Sequence, residues 1–283
     1  MSPGMSMAML GTGRARTFFD GIFSTPRLDH PECVAVHQDG SVWCGGEAGQ
    51  IFRIAADGSK IDQVATTGGF VLGITFNPGH DSLYACDIAA AAVFRIPVAG
   101  GEPELFADGA AGHRFVNPNY IVVDRDGRLL VSDSHQAGQP GPSLFAFDDS
   151  GHGSVWYDGP LAFANGLACD DAALYVAESF LPGVSRIEMR PDGSAGRRDV
   201  VATLPGTVPD GLAFGPDGRL YVGCYEPSQV LRLEPDGAVT VISHDPTAHL
   251  LCHPTNLAFR GPTLLTANLG RWHLTAIDLE PAC

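Results

Sequence analysis

The chain is poor in positive charge. Lys and Arg together number 17 against 32 Asp and Glu, a formal charge of −15 over 283 residues. Such a surface repels phosphate backbones and anionic lipid headgroups, which excludes nucleic acid and a membrane surface as partners. No apolar run approaches the roughly 20 residues of a membrane helix. The start, "MSPGMSMAMLGTGRAR", lacks an apolar stretch after a basic one, so no secretory signal is expected and the protein is read as cytoplasmic. No segment sustains 3.6-residue spacing, so no long helix is expected. The seven cysteines form no CxxC pair. Most sit in strand-like segments ("VWCGG", "YACD", "GLACD", "YVGCY"), where buried, reduced thiols are expected. There is no G-x-S-x-G elbow, no glycine-rich phosphate loop and no WD dipeptide, so serine-hydrolase chemistry and a WD scaffold have no support.

What is present is repetition. Glycine (35) and proline (21) are spread along the chain and punctuate short alternating segments, the pattern of an all-β protein. One hairpin recurs six times: "PECVAVHQDGSVWCGG", "VLGITFNPGHDSLYACD", "PNYIVVDRDGRLLVSD", "ANGLACDDAALYVAE", "PDGLAFGPDGRLYVG" and "PTNLAFRGPTLLTAN". Several copies are followed by a third and a fourth strand, such as "QVLRLEPDG" and "VTVIS". The second residues of the copies are Glu32, Leu72, Asn119, Asn165, Asp210 and Thr255, spaced by 40 to 47 residues. Four strands per unit of that length predict a six-bladed β-propeller of four-stranded blades. The last copy lacks an outer strand. Residues 16–23, with the preceding Ala15, are predicted to supply it and close the ring. One domain is expected over 15–283, with 1–14 disordered or extended.

Equivalent residues of different blades lie on a ring about the axis. The six register positions should therefore converge near one mouth of the central channel. Four of them bear oxygen: Glu32, Asn119, Asn165 and Asp210. Any one Asn or Asp at such a place ordinarily makes a turn, and for Asn165 and Asp210, both before glycine, the turn reading is strong. A Glu at the same register does not favour turns, and two nearby carboxylates repel unless a cation lies between them. Two carboxylates and two amide oxygens suit one hard divalent cation, Ca2+ first. Mg2+, Mn2+ and Zn2+ are the alternatives, although zinc ordinarily takes His or Cys.

"FANGLA…LYVAES", "VPDGLAFGPDGRLYVG" and the early "PE" resemble the SMP-30/gluconolactonase/LRE-like family of calcium-dependent six-bladed propellers, over the chain from about residue 15. The resemblance implies that Glu32, Asn165 and Asp210 hold the metal, and that Asn119 binds metal or substrate. It also implies Asp210 as the catalytic carboxylate, acting as base or nucleophile. Two motifs depart from the family. Pro31-Glu32-Cys33 stands for Glu-Gly-Pro, and Pro118-Asn119-Tyr120 for Pro-Asn-Asp. The implied function is a metal-dependent hydrolase acting on a small molecule, foremost a lactonase. A phosphotriesterase at the same site, a strictosidine-synthase-like biosynthetic enzyme and a non-catalytic binding propeller are the alternatives. Loop residues expected to contact substrate are Phe70, His113, Arg114, Phe115, Tyr120, Phe163, Phe180 and His253. His135, and the recurring acids Asp87, Asp133 and Glu178, are expected to be architectural.

Overall fold

In the computed structural model, residues 14–136, 139 and 141–279 are described; the expectation for 1–14 falls almost wholly outside them. Twenty-six strands and no α-helix occur among the described residues. Six antiparallel sheets of four strands account for the six blades. Their innermost strands are Ala35–Val36, Val71–Phe76, Pro118–Val123, Ala164–Cys169, Val208–Phe214 and Pro254–Arg260. Blades one to five each run outward in chain order, so hairpin connections suffice within them.

Blade six is completed from the other end of the chain. Its outer strand is Ala15–Asp20, antiparallel to His273–Asp278, with Ala15 opposite Ile277 and Asp20 opposite His273. The predicted closure is present, and it pairs the exposed edge of that last sheet. No helix of the described residues is long and apolar enough to cross a membrane.

Strand alternation turns every second side chain toward a neighbouring blade. The core is accordingly six wedges, one between each pair of adjacent blades. Trp43, Ile51 and Cys33 of blade one meet Val71, Leu83 and Ile96 of blade two. Phe19 of the closing strand packs with Phe52, Ile54 and Leu274 in the wedge between blades six and one. The six described cysteines are free thiols, all buried or half-buried. Burial pushes Cys169 up to about 11 and Cys224 up to about 12, so they are protonated packing groups.

Near the axis the inner strands approach closely, and glycine makes this approach possible. A Cβ on Gly166 would lie 2.3 Å from the Asp210 carbonyl oxygen, and one on Gly211 2.4 Å from that of Thr255. This corrects the turn reading of Asn165 and Asp210. Both lie inside inner strands, where the pairing slips at a bulge, and neither glycine has a positive φ. Gly166 and Gly211 answer to crowding between blades, not to a turn.

Candidate metal centre

The register position delivers its residues to one place. Glu32, Asn119, Asn165 and Asp210 are each about 5% exposed. Asn165 Nδ2 donates to Asp210 Oδ2 at 3.2 Å. Glu32 feels the charge of Asp210 directly. The other two ring positions close off the set. Leu72 is buried and apolar, and Thr255 donates its hydroxyl to the Glu32 carbonyl at 2.5 Å.

The amides are oriented by a device that repeats in adjacent blades. Ser134 Oγ donates to the Ala164 carbonyl at 2.6 Å, so toward Asn119 it accepts, and Asn119 Nδ2 donates to it at 2.9 Å. Ser179 Oγ donates to the Pro209 carbonyl at 2.7 Å and accepts from Asn165 Nδ2 at 3.2 Å. A hydroxyl has one proton, so each serine dictates which end of the amide it meets. The carbonyl end is left over in both cases.

Four buried oxygens of the ring have no hydrogen-bond partner: Glu32 Oε2, Asn119 Oδ1, Asn165 Oδ1 and Asp210 Oδ1. Buried acceptors of this kind are costly unless something satisfies them. Burial pushes Asp210 up to about 7, against the Asn165 hydrogen bond that lowers it. Glu32 is raised well above the carboxylate range, first by burial and then by Asp210. The donor set therefore fits a hard divalent cation, which would ionise both acids and occupy all four lone oxygens. No His or Cys side chain belongs to the set, which counts against zinc.

The expected substrate contacts divide. Phe163 and Phe180 come together with ring centroids 4.6 Å apart, and both line a pocket of about 1040 Å³ at the same mouth. His113 and Ser134 line it too. His253 is half-buried between blades five and six. Its Nδ1 lies 3.0 Å from the Tyr225 carbonyl, and its ring stacks on Tyr225 at 4.4 Å. Phe70 is half-buried, with its N–H donated to Asp87 at 3.1 Å. Three residues are placed elsewhere. Tyr120 is buried in the wedge between blades three and four, because strand alternation turns it away when Asn119 faces the axis. Phe115 is buried between blades two and three. Arg114 lies exposed on a small hairpin, Gly109–Ala110 with His113–Arg114, and is drawn into an ion pair with Asp108.

The recurring acids hold the loops that lead into the inner strands. Asp87 accepts from Phe70 N–H, Asp133 from Val116 and Asn117 N–H, and Glu178 from Ala162 N–H. His135 bonds the Pro142 carbonyl through Nε2 at 2.8 Å. The sequence reading missed Ser134 and Ser179, although a signal was there. Serine follows the recurring acid only in "VSDS" and "VAES", the two blades whose ring residue is asparagine. Tyr225 was missed as well. The charges of Glu32 and Asp210 reach its hydroxyl, after burial and Glu226, and help raise it.

The chain matches the SMP-30/Gluconolactonase/LRE-like region over residues 67–268. No curated protein matches it. Among solved structures it is similar to XC5397 of Xanthomonas campestris, described as a gluconolactonase important in glucose secondary metabolic pathways. The TM-score is 0.78 at 21% identity, over 95% of this chain and 91% of that one. It is also similar to virginiamycin B lyase from Staphylococcus aureus, with TM-score 0.65 at 18% identity over 88% and 80% of the two chains. A chain of a nidogen/laminin complex matches at TM-score 0.68 and 20% identity, over 82% and 87%. At such identities these likenesses show the fold alone.

Proposed function

The chain belongs to the SMP-30/gluconolactonase/LRE-like family, and from that premise we propose that it is a divalent-metal-dependent lactonase. The observation that carries the reading is the set of four unpartnered buried oxygens on Glu32, Asn119, Asn165 and Asp210. One Ca2+ is the best match to two carboxylates and two amide oxygens, with water completing its shell. What the bound ion would supply is Lewis-acid polarisation of the lactone carbonyl.

The chain's own groups do the rest. Glu32, Asn119, Asn165 and Asp210 would hold the ion, with the two amides kept in orientation by Ser134 and Ser179. With Oδ1 committed to the ion, Asp210 Oδ2, which keeps a lone pair beside its Asn165 hydrogen bond, takes the proton of a water as the water oxygen bonds to the carbonyl carbon. It returns that proton to the ring oxygen as the ring C–O bond breaks, and a hydroxy acid leaves.

The test is lactone hydrolysis followed by pH-stat, with calcium-replete, EDTA-treated and Asp210→Asn protein. Opening of lactones that is lost with EDTA and in the variant is expected. Full activity after EDTA, or turnover of a phosphotriester with no lactone opened, overturns the reading.

A further inference from the structure

We infer that the substrate of this site carries an apolar alkyl or aryl group, seated in the pocket over blades three and four. On the lactonase reading, on which this rests, the substrate class is an alkyl- or aryl-substituted lactone. The pocket abuts the ring. Ser134, which carries the Asn119 amide, is part of its lining, and Ala162-Phe163 runs straight into Ala164-Asn165. Its volume, about 1040 Å³, far exceeds what a bare five- or six-membered ring would fill.

Leu161, Ala162, Phe163 and Phe180, which lead into or pack beside the Asn165 strand, give it an apolar wall that continues outward to Pro160 and Val155, faced by Ser134, His135, Gln136, Gln139 and Asp158. No Lys or Arg is among the described residues that line it, and Arg114 is engaged by Asp108. An anionic substituent would therefore meet no fixed positive partner.

The aromatic pair is built and held. Phe180 is 57% exposed, a large apolar ring left in water in the free protein. Phe163 adopts φ +65°, a conformation that a bulky side chain rarely takes without a reason. Several bonds fix it there. Ser179 N–H donates to the Phe163 carbonyl at 3.2 Å, and Phe180 N–H to that of Ala162 at 3.1 Å. Ala162 N–H donates to Glu178 at 2.7 Å, and Glu178 is itself held by Arg198 and Ser185. The platform is rigid and pre-organised, which lowers the cost of binding an apolar group.

The test compares δ-valerolactone with δ-decalactone, the same ring bearing a five-carbon chain, on calcium-replete protein. The chain should raise kcat/KM by at least about tenfold, the low end for one methylene in an apolar pocket. Phe163→Ala and Phe180→Ala should remove that advantage, lowering the ratio of kcat/KM for δ-decalactone over δ-valerolactone by about tenfold or more. Equal rates for the two lactones, or equal losses on both, overturn the inference. A second measurement does not need turnover: calorimetric binding of the δ-lactam bearing the same five-carbon chain. Binding weakened about tenfold or more in Phe180→Ala supports the pocket even if no lactone is opened, in which case only the lactonase reading fails. Absence of binding to the wild-type protein overturns the inference. Phe180 is exposed, so its truncation should leave the melting temperature unchanged and keep the comparison valid.

Discussion

At the scale of single residues the site depends on which atoms face the axis. Asp210 Oδ1 is free while Oδ2 is tied to Asn165. Asp210→Asn keeps the shape and removes the charge and the base. It should lower lactone hydrolysis by at least about a hundredfold, and elemental analysis should show the loss of bound calcium. Ser134 and Ser179 make a separate case, because neither offers an oxygen to the ring. Removing either hydroxyl lets the amide it orients turn over. Ser134→Ala or Ser179→Ala should weaken calcium binding about 10- to 100-fold, with rate recovered at saturating calcium. Unchanged affinity in a calcium titration would show that the amides orient themselves. Asp217 sits seven residues from Asp210 in a like Pro-Asp-Gly setting. It accepts from Arg219 N–H and from the Tyr221 hydroxyl at a turn far along the same hairpin. Its replacement by Asn should leave calcium binding within about twofold of wild type.

At the scale of the strand, the pairings decide what the sequence repeats mean. Gly166 and Gly211 follow ring residues and look like turn glycines on paper. They are crossing points, each with a neighbouring backbone where its Cβ would be. Because the obstruction is backbone, the strands themselves would have to move. Gly211→Ala should cost about 1–3 kcal/mol in urea unfolding and also loosen calcium binding. A full-stability variant would show that the inner strands have room. The closing strand Ala15–Asp20 is a second case. Its buried apolar contribution to the last wedge is Phe19, with Phe18 half-buried against the same cluster. Phe19→Ala should lower stability by about 3–5 kcal/mol. Here the sequence was legible, since a missing outer strand at one end and an unused strand at the other leave one pairing. The bulges at Asn165 and Asp210 were not, because slippage of a pairing depends on the partner strand and leaves no local mark.

At the scale of the whole molecule, the buried acids link cation binding to stability. Without a cation Asp210 holds its proton up to about 7 in the folded chain. Unfolded, it releases it near the ordinary carboxylate value of about 4. Between those limits the folded state binds more protons, so stability falls as pH rises. Below about 4 the contribution is at its full value, and above about 7 the penalty is complete. The melting temperature in EDTA should decline across that window more steeply than that of Asp210→Asn, measured by scanning calorimetry. Calcium binds the ionised form and should reverse the trend, its stabilisation growing with pH. At a hundredfold excess over Kd it is worth about 2.7 kcal/mol. Parallel curves for wild type and Asp210→Asn would show that Asp210 ionises normally.

The sequence by itself determined the architecture: six blades, the outward run of four strands in each, and the strand that closes the ring. Periodicity sets these, because alternation and turn residues are local and repeat with the chain. It also singled out Glu32, Asn119, Asn165 and Asp210, since a common register position is a common place in a ring. Only the tertiary structure decided which loop residues reach the mouth. Arg114, Phe115 and Tyr120 sit close in sequence to Asn119, yet one pairs with Asp108 and two are buried between blades. Phe163 and Phe180 are 17 residues apart and meet. Loop side chains have no repeat to read, and their direction is settled by whichever neighbour across the mouth offers charge or packing.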